Sequence, residues 1–265
     1  MARLSPSLMR GLSILHSFTP DRPVWGVADI AQELGIGKAS ARRYLATLAV
    51  MGYLAQLANT DKQRRYRLGL RVTDLGLSAV NATGLRAHAR PHLEALRRSS
   101  SYATAVAVLD VPEIVYIDRI PSFQRAQGAS ERILATGSRL PAYCTALGKM
   151  LLAYLPADER NHLIEEMILA EHTPATITNR QALRTELAEI RLAHFAVSNE
   201  ELINGVIAIA APVRNVSGGV VAAVGITAHV LETSIEELIA AALPDLQKTA
   251  GEISTQLGFR EDGQA

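Results

Sequence analysis

Residues 27–68 read VADIAQELGIGKASARRYLATLAVMGYLAQLANTDKQRRYRL, and this stretch decides the fold of the N-terminal region. Its first apolar residues recur at the spacing of a short amphipathic helix, and they are Val27, Ile30, Ala31 and Leu34. Gly35 and Gly37 then interrupt the pattern. A second helix is predicted from Lys38, with an inner stripe of Ala41, Tyr44, Leu45 and Leu48. Two short helices joined by a tight glycine-containing turn are typical of the unit that enters the DNA major groove.

The outer face of the second helix is polar and basic, and it carries Lys38, Ser40, Arg42, Arg43 and Thr47. Gly52 is expected to end this helix. Strands are predicted over 53–57 and 63–68, joined by the turn-rich residues 58–62. Arg64, Arg65 and Arg67 are well placed there to contact phosphates. Taken alone, the two helices could be an ordinary helical hairpin, and the basic strand could be a solvated edge strand. The helices followed by the basic hairpin, in this order, indicate a winged helix-turn-helix DNA-binding domain.

Length and charge distribution indicate domains with different roles. The chain has 265 residues, 48% of them hydrophobic, which suits one large or two ordinary globular domains. Residues 1–75 hold 11 Lys and Arg against 5 Asp and Glu, a charge of +6, and residues 76–265 hold 16 against 21, a charge of −5. We therefore expect a DNA-binding domain over 1–69, a linker helix over 70–84 and a second domain over 85–265.

Cysteine content and hydropathy limit the compartment. Cys144 is the only cysteine, which excludes an intramolecular disulfide and a cysteine-based zinc finger and suits a reducing cytoplasm. The first residues lack the apolar core of a signal peptide, and no apolar run reaches the ~18 residues of a membrane span. We expect a cytoplasmic protein with no membrane partner.

Periodicity outside the opening segment predicts an α+β fold. Ser5 and Pro6 are expected to begin a first helix whose inner stripe is Leu8, Leu12 and Leu15. Further helices are predicted over 71–82, 85–98, 145–154, 156–167, 183–193 and 234–257. Strands are predicted over 103–109, 114–120, 195–198, 206–213 and 220–227, with 110–113 as a hairpin turn. Strands joined partly by hairpins and partly by helices indicate a mainly antiparallel sheet.

The sequence resembles the IclR family of bacterial transcriptional regulators, and the motifs that carry the resemblance occur in order in both halves. In the N-terminal half they are GLSIL at 11–15, LGI at 34–36 and YRLG at 66–69. In the C-terminal half they are GSRLPAYCTALGK at 137–149, Glu200-Glu201 with Gly205, and AAPV at 210–213. The variant LPAYCT before ALGK looks most like the branch that regulates aromatic acid breakdown through protocatechuate, 4-hydroxybenzoate and β-ketoadipate.

The resemblance implies a winged N-terminal domain, a GAF/PAS-like C-terminal domain that binds a small organic acid effector, and homodimers or homotetramers on palindromic double-stranded DNA operators. Carried onto matching positions, the effector pocket would be lined by Thr145, Ala146, Leu147, Ser198, Val206, Ala208, Gly225 and Thr227. Several of these are apolar or glycine where glyoxylate-type members are polar, which favours a larger, flatter ligand. A tightly packed helix start is the alternative interpretation of the segment from Thr145.

Two polar side chains are predicted to serve that ligand. Arg139 would supply a cation and Tyr143 a phenol to an aromatic carboxylate. Free N–H groups at the start of the helix after Thr145 would also attract a carboxylate. A solvated edge charge is the alternative for Arg139.

Enzymatic chemistry finds little support in the sequence. Cys144 with His162, His172 or His194 matches no nucleophile motif, and a lone cysteine is usually a small buried hydrophobe. His88 and His92 share a helix face with no evident third ligand, which favours a packing role over a metal site. We expect no catalysis, no metal and no cofactor. The remaining alternatives are a constitutive DNA-binding protein whose C-terminal domain only oligomerises and an enzyme with an accessory DNA-binding domain.

Overall fold

The structure is a computed structural model that describes residues 4–57, 64–81, 84–122 and 134–260, with the backbone alone described at 77 and 79–81. The chain divides into two compact units, Met1–Ala79 and Val80–Ala265. Among the described residues, no helix combines the length and apolar character needed to cross a membrane.

The N-terminal unit is a winged helix-turn-helix. Its elements are α1 (Pro6–His16), β1 (Trp25–Gly26), α2 (Val27–Glu33), α3 (Lys38–Val50), β2 (Leu54–Gln56) and β3 (Arg65–Leu68), followed by α4 (Arg71–Asn81). The strands form an antiparallel sheet in the order β1-β3-β2. The predicted wing turn 58–62 and residue 63 lie outside the described residues.

Local chemistry explains where these helices begin and end. Ser5 accepts a hydrogen bond from the Leu8 N–H at 3.5 Å, which caps α1 ahead of Pro6. Gly52 lies just beyond the end of α3 with φ of +81°, a left-handed conformation that favours glycine. The helices close over a small core whose fully buried members include Ile14, Ile30, Leu45 and Tyr66.

The predicted inner stripe of α1 is wrong for Leu8 and Leu12, whereas Leu15 is partly buried and packs against the core. Leu8 and Leu12 are 63% and 51% exposed, whereas Ile14 is fully buried and Phe18, just beyond the helix, is 8% exposed. The helix carries apolar residues on two faces, and the Ile14 face is the one that meets α2 and α3. The face with Leu8 and Leu12 therefore remains uncovered in the single chain.

The C-terminal unit is built on an antiparallel sheet, which confirms the α+β class with a mainly antiparallel sheet. Its helices are α5 (Leu85–Ser100), α6 (Ala146–Ala153), α7 (Ala157–Glu166), α8 (Arg180–Ala193) and α9 (Ile235–Gln256). Its strands are β4 (Ala103–Asp110), β5 (Glu113–Ile120), β6 (Arg139–Pro141), β7 (Ala196–Asn199), β8 (Val206–Arg214) and β9 (Val220–His229). The strand order is β6-β5-β4-β9-β8-β7.

Both faces of this sheet are covered, so side chains of the central strands alternate between two cores. Ala105 and Ala107 of β4 face the core that contains α6 and α8, whereas Val106 faces the core beneath α5 and α9. The predicted inward residues of α5, namely Leu85, Ala89, Leu93 and Leu96, are all buried in that second core. Sequence periodicity did not reveal β6 or the 3₁₀ turn Ala142–Cys144 that leads into α6.

Candidate DNA-binding surface and effector cavity

Helix α3 presents most of the predicted DNA-contacting side chains to solvent. Lys38, Arg42, Arg43 and Thr47 are exposed, and Ser40 is half-buried. The Thr47 hydroxyl donates to the Arg43 carbonyl at 2.9 Å, a bond along its own helix. Because Ala41 and Leu45 anchor the opposite face in the core, the basic face is held outward.

A groove joins the start of α3 to the basic strand β3. Lys38, Arg42, Arg64 and Arg65 line it together with the first residues of α2, and the centre of a water molecule can reach about 420 Å³ of it. Arg43 and Arg67 are exposed but do not line this groove. Of the four cations that line the groove, two lie on α3, one on β3 and one directly before β3. Four cations on one surface fit contact with a phosphate backbone.

Asp29 is the carboxylate that borders this groove, and its partners are already in place. Its Oδ2 accepts the Gly26 N–H at 2.9 Å, and its Oδ1 lies 4.0 Å from Arg22. The Arg22 guanidinium stacks over the Trp25 ring, 3.4 Å from its centroid. Asp29 therefore fixes the entry to α2, and within the described part of the chain none of the four groove cations is paired with an acid.

Replacing Arg65 with alanine is expected to weaken binding to all DNA sequences alike, because a phosphate contact carries no base information. The slope of log affinity against log salt should fall by about one unit. Titration of labelled duplexes at several salt concentrations measures both quantities. Arg98→Ala, an exposed arginine of the C-terminal unit, is the control and should leave the slope unchanged; an unchanged slope for Arg65→Ala would remove Arg65 from the interface.

The C-terminal unit contains a cavity between α6 and strands β5, β7, β8 and β9. Its lining includes the predicted effector residues Thr145, Ala146, Leu147, Ser198, Val206, Ala208, Gly225 and Thr227. Sequence reasoning missed Tyr116, Leu134, Leu140, Cys144, Leu202, Ile203, Ile209 and Ile226. The space between atoms is about 460 Å³, of which the centre of a water molecule can reach about 40 Å³. The volume open to water centres is far below the ~300–1,000 Å³ of small-molecule sites, so the cavity is nearly closed in this structure.

Small residues bring the start of α6 against the sheet. A Cβ on Gly148 would collide with the Ala142 carbonyl, and one on Gly225 would lie 3.0 Å from both Ile209 and Leu147. Thr145 caps the helix by accepting the Gly148 N–H at 3.1 Å. Within the described residues, the N–H groups of Ala146 and Leu147 have no acceptor, and both residues line the cavity.

The polar groups of the cavity are neutral. Among the described lining residues there is no charged side chain. Burial raises the pKa of the Tyr116 phenol to about 12, so this group is a protonated donor at neutral pH. Burial also raises the pKa of the Cys144 thiol to about 12, which makes it a poor nucleophile. The Ser198 hydroxyl donates to the Cys144 carbonyl at 3.3 Å.

The structure does not bring Arg139 or Tyr143 to the cavity. Arg139 lies on edge strand β6 with its side chain half exposed, and it pairs with Asp110 and Glu113 of the neighbouring hairpin. The Tyr143 hydroxyl donates to the Ala170 carbonyl at 2.6 Å, because the 3₁₀ turn directs this ring away from the sheet. These two predicted effector-binding side chains therefore do not line the cavity that the other predicted residues share.

A buried ion cluster lies next to the cavity wall. Lys149 of α6 is 1% exposed, and its Nζ donates to Glu201 at 2.6 Å and to Glu186 at 2.8 Å. Burial raises the pKa of the Glu201 carboxyl against the lowering effect of Lys149. Leu202 and Ile203, which follow Glu201 directly, line the cavity. Lys149 and Glu201 both belong to the motifs that resemble the family. Their pairing could not be predicted from the sequence, because they are far apart along the chain.

A winged helix-turn-helix with an outward basic face and a separate domain with a neutral internal cavity define a class, the DNA-binding regulators that carry a sensor domain. The N-terminal part matches the IclR helix-turn-helix domain over residues 7–58. Residues 77–255 match the C-terminal domain of the bacterial transcriptional regulator IclR. The chain belongs to the IclR family of bacterial transcriptional regulators.

Individual relatives span nearly the whole chain. The transcriptional regulator XynR of Escherichia coli is 34% identical over 253 residues, covering 96% of this chain and 97% of its own. The transcriptional activator of p-hydroxybenzoate hydroxylase from Acinetobacter baylyi is 34% identical over 248 residues, covering 93% and 89%. An IclR homologue from Microbacterium hydrocarbonoxydans, solved in complex with 4-hydroxybenzoate, superposes with a TM-score of 0.79 at 27% identity, covering 95% and 98%. These relatives are regulators, not enzymes.

Proposed function

We propose that this regulator senses an aromatic acid, or a catabolite of one, in the cavity beneath α6 and changes its operator affinity in response. The observation that carries this proposal is the cavity itself, which the start of α6 and three strands line with neutral hydroxyl, phenol and N–H groups. We assign DNA binding to residues 1–69, a linker helix to 70–84 and effector binding with oligomerisation to 85–265.

An aromatic carboxylate can be held here without a buried cation. Unsatisfied burial of its charge would be too costly, so the carboxylate needs donors. The N–H groups of Ala146 and Leu147 at the positive end of α6, with the Thr227 hydroxyl nearby in the lining, supply them. Tyr116 offers a phenol donor that has no hydrogen-bond partner within the described residues, and we assign it the role predicted for Tyr143.

The small size of the cavity means that its wall must move when a ligand binds. Only about 40 Å³ of the cavity is open to water centres, which is too little space for an aromatic ring. An aromatic ring must therefore displace side chains of the wall, and Leu202 and Ile203 on the loop between β7 and β8 are the ones we expect to move. A ligand that requires a different wall arrangement can shift the protein between two states.

The aromatic class is favoured by two relatives. One is named as the transcriptional activator of p-hydroxybenzoate hydroxylase, and the structure of another was solved with 4-hydroxybenzoate bound. The apolar character of Leu140, Val206 and Ile226 in the lining suits the face of a ring. XynR is matched with the same identity as the hydroxylase activator, so the test must include non-aromatic acids.

Thermal melting of the full chain with 4-hydroxybenzoate, protocatechuate, β-ketoadipate and glyoxylate tests the proposal. An aromatic acid or β-ketoadipate should raise the melting temperature in proportion to the logarithm of its concentration, and glyoxylate should not. If no acid changes either melting or operator affinity, the constitutive DNA-binding alternative replaces the sensor.

We further propose a homodimer, alone or within a tetramer, on a palindromic operator. One winged domain reads too few base pairs to define a genomic site, whereas a two-fold dimer reads two half-sites. Exposed apolar residues at the N-terminus offer a surface for such pairing, together with Leu75 of α4 at 57% exposure. They are Leu4, which precedes α1, and Leu8, Met9 and Leu12 within α1.

Replacing Leu8 and Leu12 together with glutamate is expected to convert the assembly to smaller species, because it places like charges in an apolar contact. Sedimentation velocity at micromolar concentration measures the change. Leu231→Glu, at an 89% exposed position of the C-terminal unit, is the control and should sediment like the parent chain. A monomeric parent chain, with and without DNA, would contradict the dimer.

A further inference from the structure

A second groove in the C-terminal unit shares no lining residue with the effector cavity. We call it the arginine groove, and it is defined by Tyr154, Arg160, Arg191, His194 and Arg214. Its arginines come from α7, from the last turn of α8 and from the end of β8. The centre of a water molecule can reach about 980 Å³ of it, so it is wide and open.

The charge of this groove is unbalanced. No carboxylate lines it, and across residues 4–57, 64–81, 84–122 and 134–260 none of its three arginines takes part in an ion pair. Other arginines of the same unit are paired, as in Arg184 with Glu165 and Arg90 with Asp118. The surplus is therefore local to the groove and runs against the negative charge of the C-terminal half.

Stacking on one ring holds two of the guanidinium groups in place. Arg214 lies 4.9 Å and Arg191 5.7 Å from the centroid of the Tyr154 ring. The Tyr154 hydroxyl in turn hydrogen-bonds Nδ1 of His194 at 2.7 Å. Stacking uses none of the N–H donors of a guanidinium group, so the donors that do not bind backbone carbonyls can bind the oxygen atoms of a ligand.

Contacts of the arginines with backbone carbonyls and helix C-termini compensate part of the positive charge of the groove. Arg160 donates to the Ala153 carbonyl at 3.1 Å at the end of α6, and Arg214 donates to the Gly218 carbonyl at 3.0 Å. Arg191 lies in the last turn of α8. A helix C-terminus carries only about half a negative charge, so two of them leave a surplus of about two positive charges.

We propose that the arginine groove binds a small oxyanion carrying at least two negative charges, a phosphate ester or a polycarboxylate. Guanidinium groups bind both through paired N–H···O bonds, and three of them around one space match a ligand with several anionic oxygens. A monocarboxylate would neutralise only part of the surplus. The site is thus a second input, chemically different from the neutral cavity beneath α6.

Isothermal titration of the full chain with pyrophosphate, citrate and acetate at low ionic strength tests the proposal. Pyrophosphate or citrate should bind in the micromolar to low millimolar range, and acetate should not. The Arg191→Gln, Arg214→Gln double variant should bind at least about tenfold more weakly. Tighter binding of pyrophosphate would identify the phosphate ester class, and tighter binding of citrate the polycarboxylate class.

Two control variants separate this site from general electrostatics. Arg98→Gln with Lys248→Gln removes the same charge from exposed positions outside the groove and should keep the parent affinity. Lys38→Gln with Arg65→Gln removes the same charge from the DNA-binding surface, and it should leave unchanged the binding of citrate that the Arg191→Gln, Arg214→Gln variant weakens. Absence of binding below about 10 mM, or equal loss in all three double variants, would overturn the proposal.

Discussion

An Arg42→Ala, Arg43→Ala double variant is expected to lose about 2–6 kcal/mol of operator binding, roughly 30-fold or more in affinity, because each bidentate base contact is worth ~1–3 kcal/mol. Both side chains are exposed on α3, whose opposite face is anchored by Ala41 and Leu45. Neither change touches the core, so folding should be unaffected. Gel-shift titration on an operator selected from random DNA measures the loss.

The two arginines are expected to contribute differently. Arg42 shares its groove with Lys38, Arg64 and Arg65, whereas Arg43 lies outside it. Arg43→Ala alone should therefore relax base preference, and Arg42→Ala should also flatten the salt dependence. Parent-like affinity and sequence preference in the double variant would rule out α3 as the recognition helix.

Replacing Lys149 with methionine is expected to destabilise the C-terminal unit by about 3–5 kcal/mol, because it leaves a buried carboxylate without its partner. Glu201 is 6% exposed and depends on Lys149 Nζ, 2.6 Å away, and its Oε2 has no hydrogen-bond partner within the described residues. At ~2–4 °C per kcal/mol the melting temperature should fall by about 6–20 °C.

The pH dependence of this loss has a defined sign. Burial already raises the pKa of Glu201, and removing the lysine raises it further. An acid whose folded-state pKa is raised costs stability at pH above its unfolded value and nothing below it. The gap between parent and variant should therefore narrow as the pH falls toward 4. The Lys149→Met, Glu201→Gln double variant should recover part of the stability; a Lys149→Met melting curve that overlays the parent would refute the pairing.

The fold was largely predictable from local patterns. Periodicity located α2, α3 and α5 because each has one apolar face, and glycines at 35, 37 and 52 marked their ends. The order of the six-stranded sheet was not predictable, since β4 pairs with the distant β9 as well as with β5. The buried face of α1 was predicted wrongly, because both faces of this helix are apolar and only tertiary packing selects between them.

The residues of the candidate site were predictable where the family resemblance supplied their positions. The prediction failed where it depended on the direction in which a side chain points. The small residues around Ala146 and the strand positions Val206 and Gly225 line one cavity as expected. The prediction for Arg139 failed because its acidic partners lie on the β4–β5 hairpin, and no local sequence pattern shows this contact. Tyr116 was missed because a strand buried on both faces does not reveal which residues meet a cavity.

Operator affinity of an Ala146→Trp variant, with and without 4-hydroxybenzoate, shows whether the cavity beneath α6 controls DNA binding. The indole would fill the cavity, so we expect parent-like operator affinity that no longer responds to the acid. Ala208→Leu, a smaller change in the same lining, should reduce the response if the tryptophan variant folds poorly, and Ala240→Trp at an exposed position of α9 should keep it. If the parent chain and the Ala146→Trp variant respond equally to the acid, the cavity does not control DNA binding.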